Sequence, residues 1–314
     1  MLYSRAVSTM DTLDPLCAAE GCAGIDLVIE GRPRPVGNID VARLLPVRER
    51  RAVGPFIFLD HMGPVTFAPG AGFDVAPHPH IGLSTVTYLL EGEAVHRDSI
   101  GSVQVVTPGE INLMTAGRGV VHSERSDPAW RARGGTFHGL QLWLGLPTES
   151  EEDEPWFVHR DRDAFPRVDA AGVSARVLLG SALGVTAPIE HPARPVMIDV
   201  DLAAGAIFDV PNEGGEHAVY IVEGEVSAGS RTFARHRLLV AAPAQKLCLV
   251  ARQPSRVVVI GGPPLDGKRF MDWNFVHSTR ERIEQAKAAW RDQTFPRIPG
   301  DDREHIPYPT FERR

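Results

Sequence analysis

Thr87-Tyr-Leu-Leu-Glu-Gly-Glu93 can be laid over Val219-Tyr-Ile-Val-Glu-Gly-Glu225, 132 residues further along the chain. Each is a β-like run that enters the same Glu-Gly-Glu turn. A strand and turn that occur twice point to a duplicated β-domain. Around the first copy lie Ile25-Asp-Leu-Val-Ile29, Phe56-Ile-Phe-Leu59, Val103-Gln-Val-Val106 and Gly139-Leu-Gln-Leu-Trp-Leu144. Turn signals separate them at Glu91-Gly92, Pro108-Gly109, Ala116-Gly117 and Arg118-Gly119. Around the second copy lie Ala175-Arg-Val-Leu-Leu179, Val196-Met-Ile-Asp-Val200, Arg237-Leu-Leu-Val240, Leu247-Cys-Leu-Val250 and Arg256–Ile260. Short strands at this spacing predict sandwiches or barrels. No helical patterns alternate with them, which argues against a parallel βαβ sheet.

The fold class expected is mainly β, with two tandem barrels and a C-terminal helix. The organisation reads as a tail over 1–24, a first barrel over 25–147 and a linking segment over 148–190. A second barrel follows over 191–265, then a helix and tail over 266–314. The acidic stretch Pro147-Thr-Glu-Ser-Glu-Glu-Asp-Glu-Pro155 reads as solvated. The late helix is announced by Ser278-Thr-Arg-Glu281, which fits a capping box. Ile283, Ala286 and Trp290 then form one apolar stripe, to be docked on a sheet.

The 314 residues carry 33 Lys+Arg and 40 Asp+Glu, a formal net charge of −7. That balance argues against a direct nucleic-acid partner, because phosphate binding needs a basic face. No apolar run approaches the length needed to span a bilayer, and Met1–Glu20 lacks the apolar core of a signal peptide. Cys17, Cys22 and Cys248 are too few and too scattered for a disulfide framework. They read as free thiols in a reducing cytoplasm.

Two short motifs carry chemistry. In a strand, residues i and i+2 face the same way. His78-Pro-His80 and His122-Ser-Glu124 can therefore each aim two ligands at one point in a barrel interior. His-x-His alone is weak, since a turn around Pro79 would also produce it. The glycine-bounded frame Gly72-x5-His78-x-His80-x11-Gly92 strengthens it. Three imidazoles and one carboxylate suit Fe, Co, Ni, Cu or Zn better than Mg or Ca. With Fe(II) the site charge is +1, which favours an anionic enolate ligand.

These residues resemble the cupin motifs, and in detail the pirin family of bicupins. The resemblance is carried by Val53-Gly-Pro-Phe-Ile-Phe-Leu-Asp-His-Met-Gly-Pro64, Pro77-His-Pro-His80 and Thr85-Val-Thr-Tyr-Leu-Leu-Glu-Gly92. His96-Arg-Asp-Ser99, Met114-Thr-Ala-Gly-Arg-Gly-Val-Val-His-Ser-Glu124 and Gly262-Pro-Pro-Leu-Asp266 extend it. It implies one divalent transition metal in the N-terminal barrel, held by His78, His80, His122 and Glu124. Fe(II) is the first expectation, with Ni, Co, Cu, Mn and Zn as alternatives. It also implies a quercetin 2,3-dioxygenase-like activity on a flavonol or related enolic aromatic and O₂, with Glu124 as ligand or general base. The alternative is a non-enzymatic, iron-dependent redox sensor whose partner is a transcription regulator or other protein.

The chain departs from the family pattern in two places. Positions 84 and 85, where a general cupin often has a ligand Glu, are Ser84 and Thr85. Ile81 stands where many pirin-like sequences have Arg, which puts any anion contact by that residue in doubt. In the second copy His78 and His80 map to Val210 and Asn212. His217 and His236 are not paired, so the C-terminal barrel is expected to be metal-free. His61 in Asp60-His-Met-Gly63 reads as a turn histidine. His96 and Asp98 read as hydrogen-bonded loop residues, and Phe56, Phe58, Met114 and Trp143 as core.

Overall fold

The two Glu-Gly-Glu turns are built alike. In this computed structural model, which describes residues 24–212 and 215–309, Gly92 has φ +92° and Gly224 has φ +83°. Only glycine takes such angles freely. A Cβ at position 92 would stand 2.8 Å from the Thr136 carbonyl oxygen, and one at 224 would stand 2.2 Å from Ser255 Oγ. Backbone geometry requires the glycine in both copies.

Each turn ends a strand that holds the third place in a seven-stranded sheet. In the first copy the order is Trp156–Arg160, Ile111–Thr115, Leu83–Glu91, Gly135–Gly145, Phe56–Phe67, Ile39–Leu45 and Arg32–Val36. Its four-stranded companion runs Asp74–His80, Val120–Arg125, Ala94–Asp98 and Val103–Val106. In the second copy the seven are Ile25–Glu30, Arg237–Ala241, Glu216–Glu223, Ser255–Gly262, Val196–Leu202, Val173–Leu179 and Arg167–Ala170. Its four are Ile207–Asp209, Cys248–Ala251, Glu225–Ala228 and Arg231–Ala234. The expected duplication is thus present, strand for strand.

The interiors differ. The second copy is filled with aliphatic side chains, among them Val177, Ile198, Val200, Val219, Ile221, Leu239, Leu249 and Val257. Each fully buried side chain of this kind contributes about 1.5–3 kcal/mol. In the first copy an apolar cluster holds Met62, Phe73, Leu89 and Phe137. Beyond it come buried polar groups: His78, His80, Thr87, His96, Asn112, His122 and Glu124.

Packing does not follow chain order. The described residues form two compact units. One takes Pro33–Arg43, Ile57–Arg162 and the chain from Leu265 onward. The other takes the chain up to Arg32, with Leu44–Phe56 and Asp163–Pro264. The strand Ile25–Glu30 pairs with Arg237–Ala241, so it belongs with the second copy and not with the first. The segment after Leu265 returns to the first. Its hairpin Phe270–Asp272/Phe275–His277 and the helix Arg280–Arg291 bury Phe275, Ile283, Ala286 and Trp290 against Ile81 and Val121.

Several local expectations are corrected. The 148–190 segment is not a bare link; Trp156–Arg160 and Val173–Leu179 each join a seven-stranded sheet. The acidic stretch is not wholly solvated, because Glu151 is buried and ion-paired with Arg269 at 2.6 Å. The capping box does not form. Ser278 Oγ donates instead to Glu151 Oε2, and Thr279 stands at the N-cap without a side-chain cap bond. A second helix, Pro128–Arg133, starts at Asp127, whose carboxylate accepts the Ala129 and Trp130 N–H groups. Cys248 is not a free thiol but is disulfide-bonded. The pairing of 25–30 with 237–241 sets Gly24 against Gln245 and Lys246. Cys17 and Cys22, with the rest of 1–23, lie outside the described residues. Among the described residues no helix is long and apolar enough to cross a membrane.

Candidate metal centre

His78 and His122 stand directly opposite each other on the paired strands Asp74–His80 and Val120–Arg125, and His80 stands opposite Val120. Strand alternation sends His78, His80 and His122 to one side. Their ring centroids are 4.4–5.1 Å apart. One ligating nitrogen from each falls within 4.8 Å of the others. His80 Nε2 and His122 Nε2 are 3.1 Å apart.

The outer nitrogens are all engaged. His78 Nδ1–H donates to the Ala76 carbonyl at 2.9 Å, and His80 Nδ1–H to the Asn274 carbonyl at 3.1 Å. His122 Nδ1 lies 3.5 Å from His96 Nδ1, and His96 Nε2–H donates to Asp98 Oδ2 at 2.9 Å. Asp98 Oδ1 also accepts the Ile100 and Ser102 N–H groups. Burial raises the Asp98 carboxyl, but the His96 and Ser102 hydrogen bonds outweigh it and hold the group below its usual range. These partners leave the Nε2 lone pairs of His78, His80 and His122 for the shared space.

Burial pulls His78 down to about 4 and pulls His80 and His122 well below 6.5. All three are therefore neutral at pH 7, the form that binds a metal. Three neutral imidazoles with converging lone pairs fit a borderline transition-metal ion.

Glu124, the fourth residue expected at the ion, is hydrogen-bonded within the barrel. Its carboxylate accepts Thr87 Oγ1–H at 2.9 Å, and the group that closes within 4.8 Å holds the three histidines without it. His122 pairs with His78 and Glu124 with Val75, so a bulge between them has its extra residue on the Asp74–His80 strand. On the other side the ladder is regular, with His122 opposite Asp98 and Glu124 opposite His96. Burial raises the Glu124 carboxyl, opposed by His96 and Thr87.

Several residues read as bland from sequence stand beside the histidines. Trp143 meets His80 edge-on, with centroids 5.1 Å apart, and stacks on Phe58 at 4.0 Å. Phe157 stacks on His96 at 4.6 Å. His96 and Asp98 are buried on a strand and hold His122, so they are supports and not loop residues. His61 is also in a strand, buried, with its Nε2 2.6 Å from His138 Nε2. Met114 and Phe56 are core, as expected. Thr87 and the Asn274 carbonyl were missed. Thr85 and Thr87, alternating in an otherwise apolar strand, were the readable sign of a polar interior. A backbone carbonyl contributed 194 residues from His80 leaves no sign.

The profile described as Pirin matches residues 38–144, and that described as Pirin C-terminal cupin domain matches 197–296. A pirin-like protein of Caulobacter vibrioides is 44% identical over 288 residues, covering 91% of this chain and 99% of the relative. The chain belongs to the pirin family. A Pseudomonas aeruginosa relative, provisionally named a quercetin 2,3-dioxygenase, is 39% identical over 260 residues, covering 82% of this chain and 80% of its own. Among solved structures, quercetin 2,3-dioxygenase from Acinetobacter baumannii superposes with a TM-score of 0.85 at 30% identity. That match covers 93% of this chain and 98% of the other. The two barrels of this pirin-family chain are accordingly cupin domains.

Ile81, the departure from the pirin pattern, has a structural role. It is fully buried among Val121, Phe275, Ile283, Trp290 and Ile298, and its carbonyl accepts the Val276 N–H. The position docks the C-terminal segment. In the second cupin domain Val210 is buried and apolar. Among the described residues, both His/carboxylate groups close enough to share an ion lie in the first domain's unit.

Proposed function

We propose that this pirin-family chain is a metal-dependent dioxygenase acting on a flavonol or related enolic aromatic. The observation that carries the reading is the convergence of three neutral Nε2 donors, each with its tautomer held from behind, beside an aromatic wall. The similarity to a quercetin 2,3-dioxygenase supports the reaction class. His78, His80 and His122 would hold the ion, Fe(II) first and Ni, Co, Cu, Mn or Zn as alternatives. When bound, such an ion supplies Lewis acidity toward an enolate oxygen and electronic coupling to O₂.

The rest falls to the protein. Trp143 and Phe58 offer flat apolar faces to an aromatic ring. Arg43, held bidentately by Asp60 at 2.8 Å, lies 4.4 Å from the Phe58 ring. Glu124 takes the hydroxyl proton of the substrate, or closes on the ion as a fourth ligand. Its raised carboxyl is a better base than an exposed one. Thr87 orients the carboxylate. Asp98, through His96, keeps His122 turned to the ion.

The test is metal loading under anaerobic conditions, then O₂ uptake with quercetin and loss of the flavonol absorbance band. Turnover is expected. In loaded protein Glu124→Gln should lower kcat by about 10²–10⁴-fold, the usual size of a general-base contribution. No turnover of any enolic aromatic with Fe, Co, Ni, Cu or Mn would overturn the reading in favour of the redox sensor.

A further inference from the structure

A second group of ligating side chains stands on the outermost pair of the first seven-stranded sheet. The strands Ile111–Thr115 and Trp156–Arg160 are antiparallel, with His159 opposite Asn112 and Arg160 opposite Ile111. Glu110 and Asp161 follow directly beyond this ladder, two residues from Asn112 and His159. Alternation turns Asn112 and His159, which stand opposite each other, to the same face. Ligating atoms of Glu110, His159 and Asp161 all lie within 4.8 Å of one another. We propose that Glu110, His159 and Asp161 form a second divalent transition-metal site, distinct from the three-histidine group.

The parts are held in place. His159 Nδ1–H donates to Asn112 Oδ1 at 2.8 Å, and His159 Nε2, the nitrogen that would bind an ion in the neutral ring, stands 3.2 Å from Asp161 Oδ1. Glu110 Oε2 accepts the Thr107 N–H at 2.7 Å, which fixes that carboxylate. Arg160, the cation between the two ligands of its strand, donates to the His159 carbonyl. Arg162 lies over Gly109.

Two further observations point to a ligand. Two carboxylates held close together repel, and ligating oxygens of Glu110 and Asp161 lie within 4.8 Å of one another. A dication offsets both. Asn112 is 3% exposed, and its Nδ2 is buried without an acceptor while its Oδ1 is committed to His159. Such an orphan donor is costly. The orphan belongs to the side chain that holds His159.

One imidazole and two carboxylates suit Zn(II), Mn(II) or Co(II) better than Cu(I), which prefers sulfur, or Mg(II), which prefers all-oxygen sites. The two sites differ in access. The three histidines are buried, whereas the Asp161 side chain is 80% exposed. Ions at the second site should exchange readily with solution. The edge strand that carries it also carries Phe157, stacked on His96, so occupancy would tether a wall of the first centre.

Zn(II) is the probe, counted per chain by elemental analysis after equilibrium dialysis and titrated against a competing chelator. The full chain should bind two ions, one released at least tenfold faster to the chelator. Asp161→Asn and His159→Gln should each bind one, the slowly released ion. Asp161 is exposed, so its substitution leaves the fold intact, checked by circular dichroism. It decides the question should the His159 variant fail to fold. One ion in the unsubstituted chain, or two ions retained in Asp161→Asn, would overturn the proposal. Neither count depends on turnover, so failure here and failure of the dioxygenase reading are separate results.

Discussion

His122 shows how much of a metal ligand's behaviour lies in residues that never touch the metal. Its Nδ1 faces His96, whose far nitrogen donates to a carboxylate already holding two backbone N–H groups. Asp98→Asn keeps the shape and removes the charge. Loss of such a partner typically costs about 10–100-fold in metal affinity. That loss should appear in a chelator-competition titration with the fold unchanged, and a change under about threefold would mean that His122 needs no such support. The burial of the three imidazoles has its own consequence. The unfolded chain takes up these protons as pH falls through 6.5, whereas folded His78 does so only near 4. Stability of metal-free protein is therefore full above about pH 6.5 and falls as the pH drops toward 4. For His78 alone the loss is on the order of 3 kcal/mol. Melting temperatures across that range should fall steadily in metal-free protein, and a flat profile would show that the imidazoles protonate in place.

At the scale of elements, strand period made the three histidines legible as one group. The period assigns a face but not the partner of each side chain, and the Glu124 carboxylate is held by Thr87 from another strand. The helix stripe of Ile283, Ala286 and Trp290 is buried as the spacing predicts. Its capping box failed because Ser278 found a stronger acceptor, the buried Glu151 carboxylate, supplied from 127 residues away. The helix matters to the site through the hairpin before it, whose Asn274 carbonyl holds His80. Trp290 is the largest side chain of that docking and donates Nε1–H to the Ile306 carbonyl. Trp290→Ala should cost about 3–5 kcal/mol in denaturant titration. Metal affinity should fall as well, because the Asn274 carbonyl loses its setting. Unchanged stability would mean that the C-terminal segment rests on the barrel without supporting it.

Across the whole molecule, the repeated Glu-Gly-Glu turn made the duplication legible. What the sequence could not reveal is which distant segments meet. Ile25–Glu30 looks like the first strand of the first barrel, yet its partners Arg237–Ala241 lie more than 200 residues later. Propensity and spacing are local quantities, and neither encodes a partner. The same blindness produced the free-thiol expectation, since a lone cysteine such as Cys248 carries no spacing signal. Cys248 is nevertheless disulfide-bonded. A disulfide removes entropy from the unfolded chain and is typically worth about 2–4 kcal/mol. Peptide mapping without reductant should recover the Cys248 peptide in a disulfide-linked pair that reduction separates. Reduction, or Cys248→Ser, should lower the denaturation midpoint by a comparable amount. Three titratable free thiols in protein purified without reductant would instead restore the free-thiol reading.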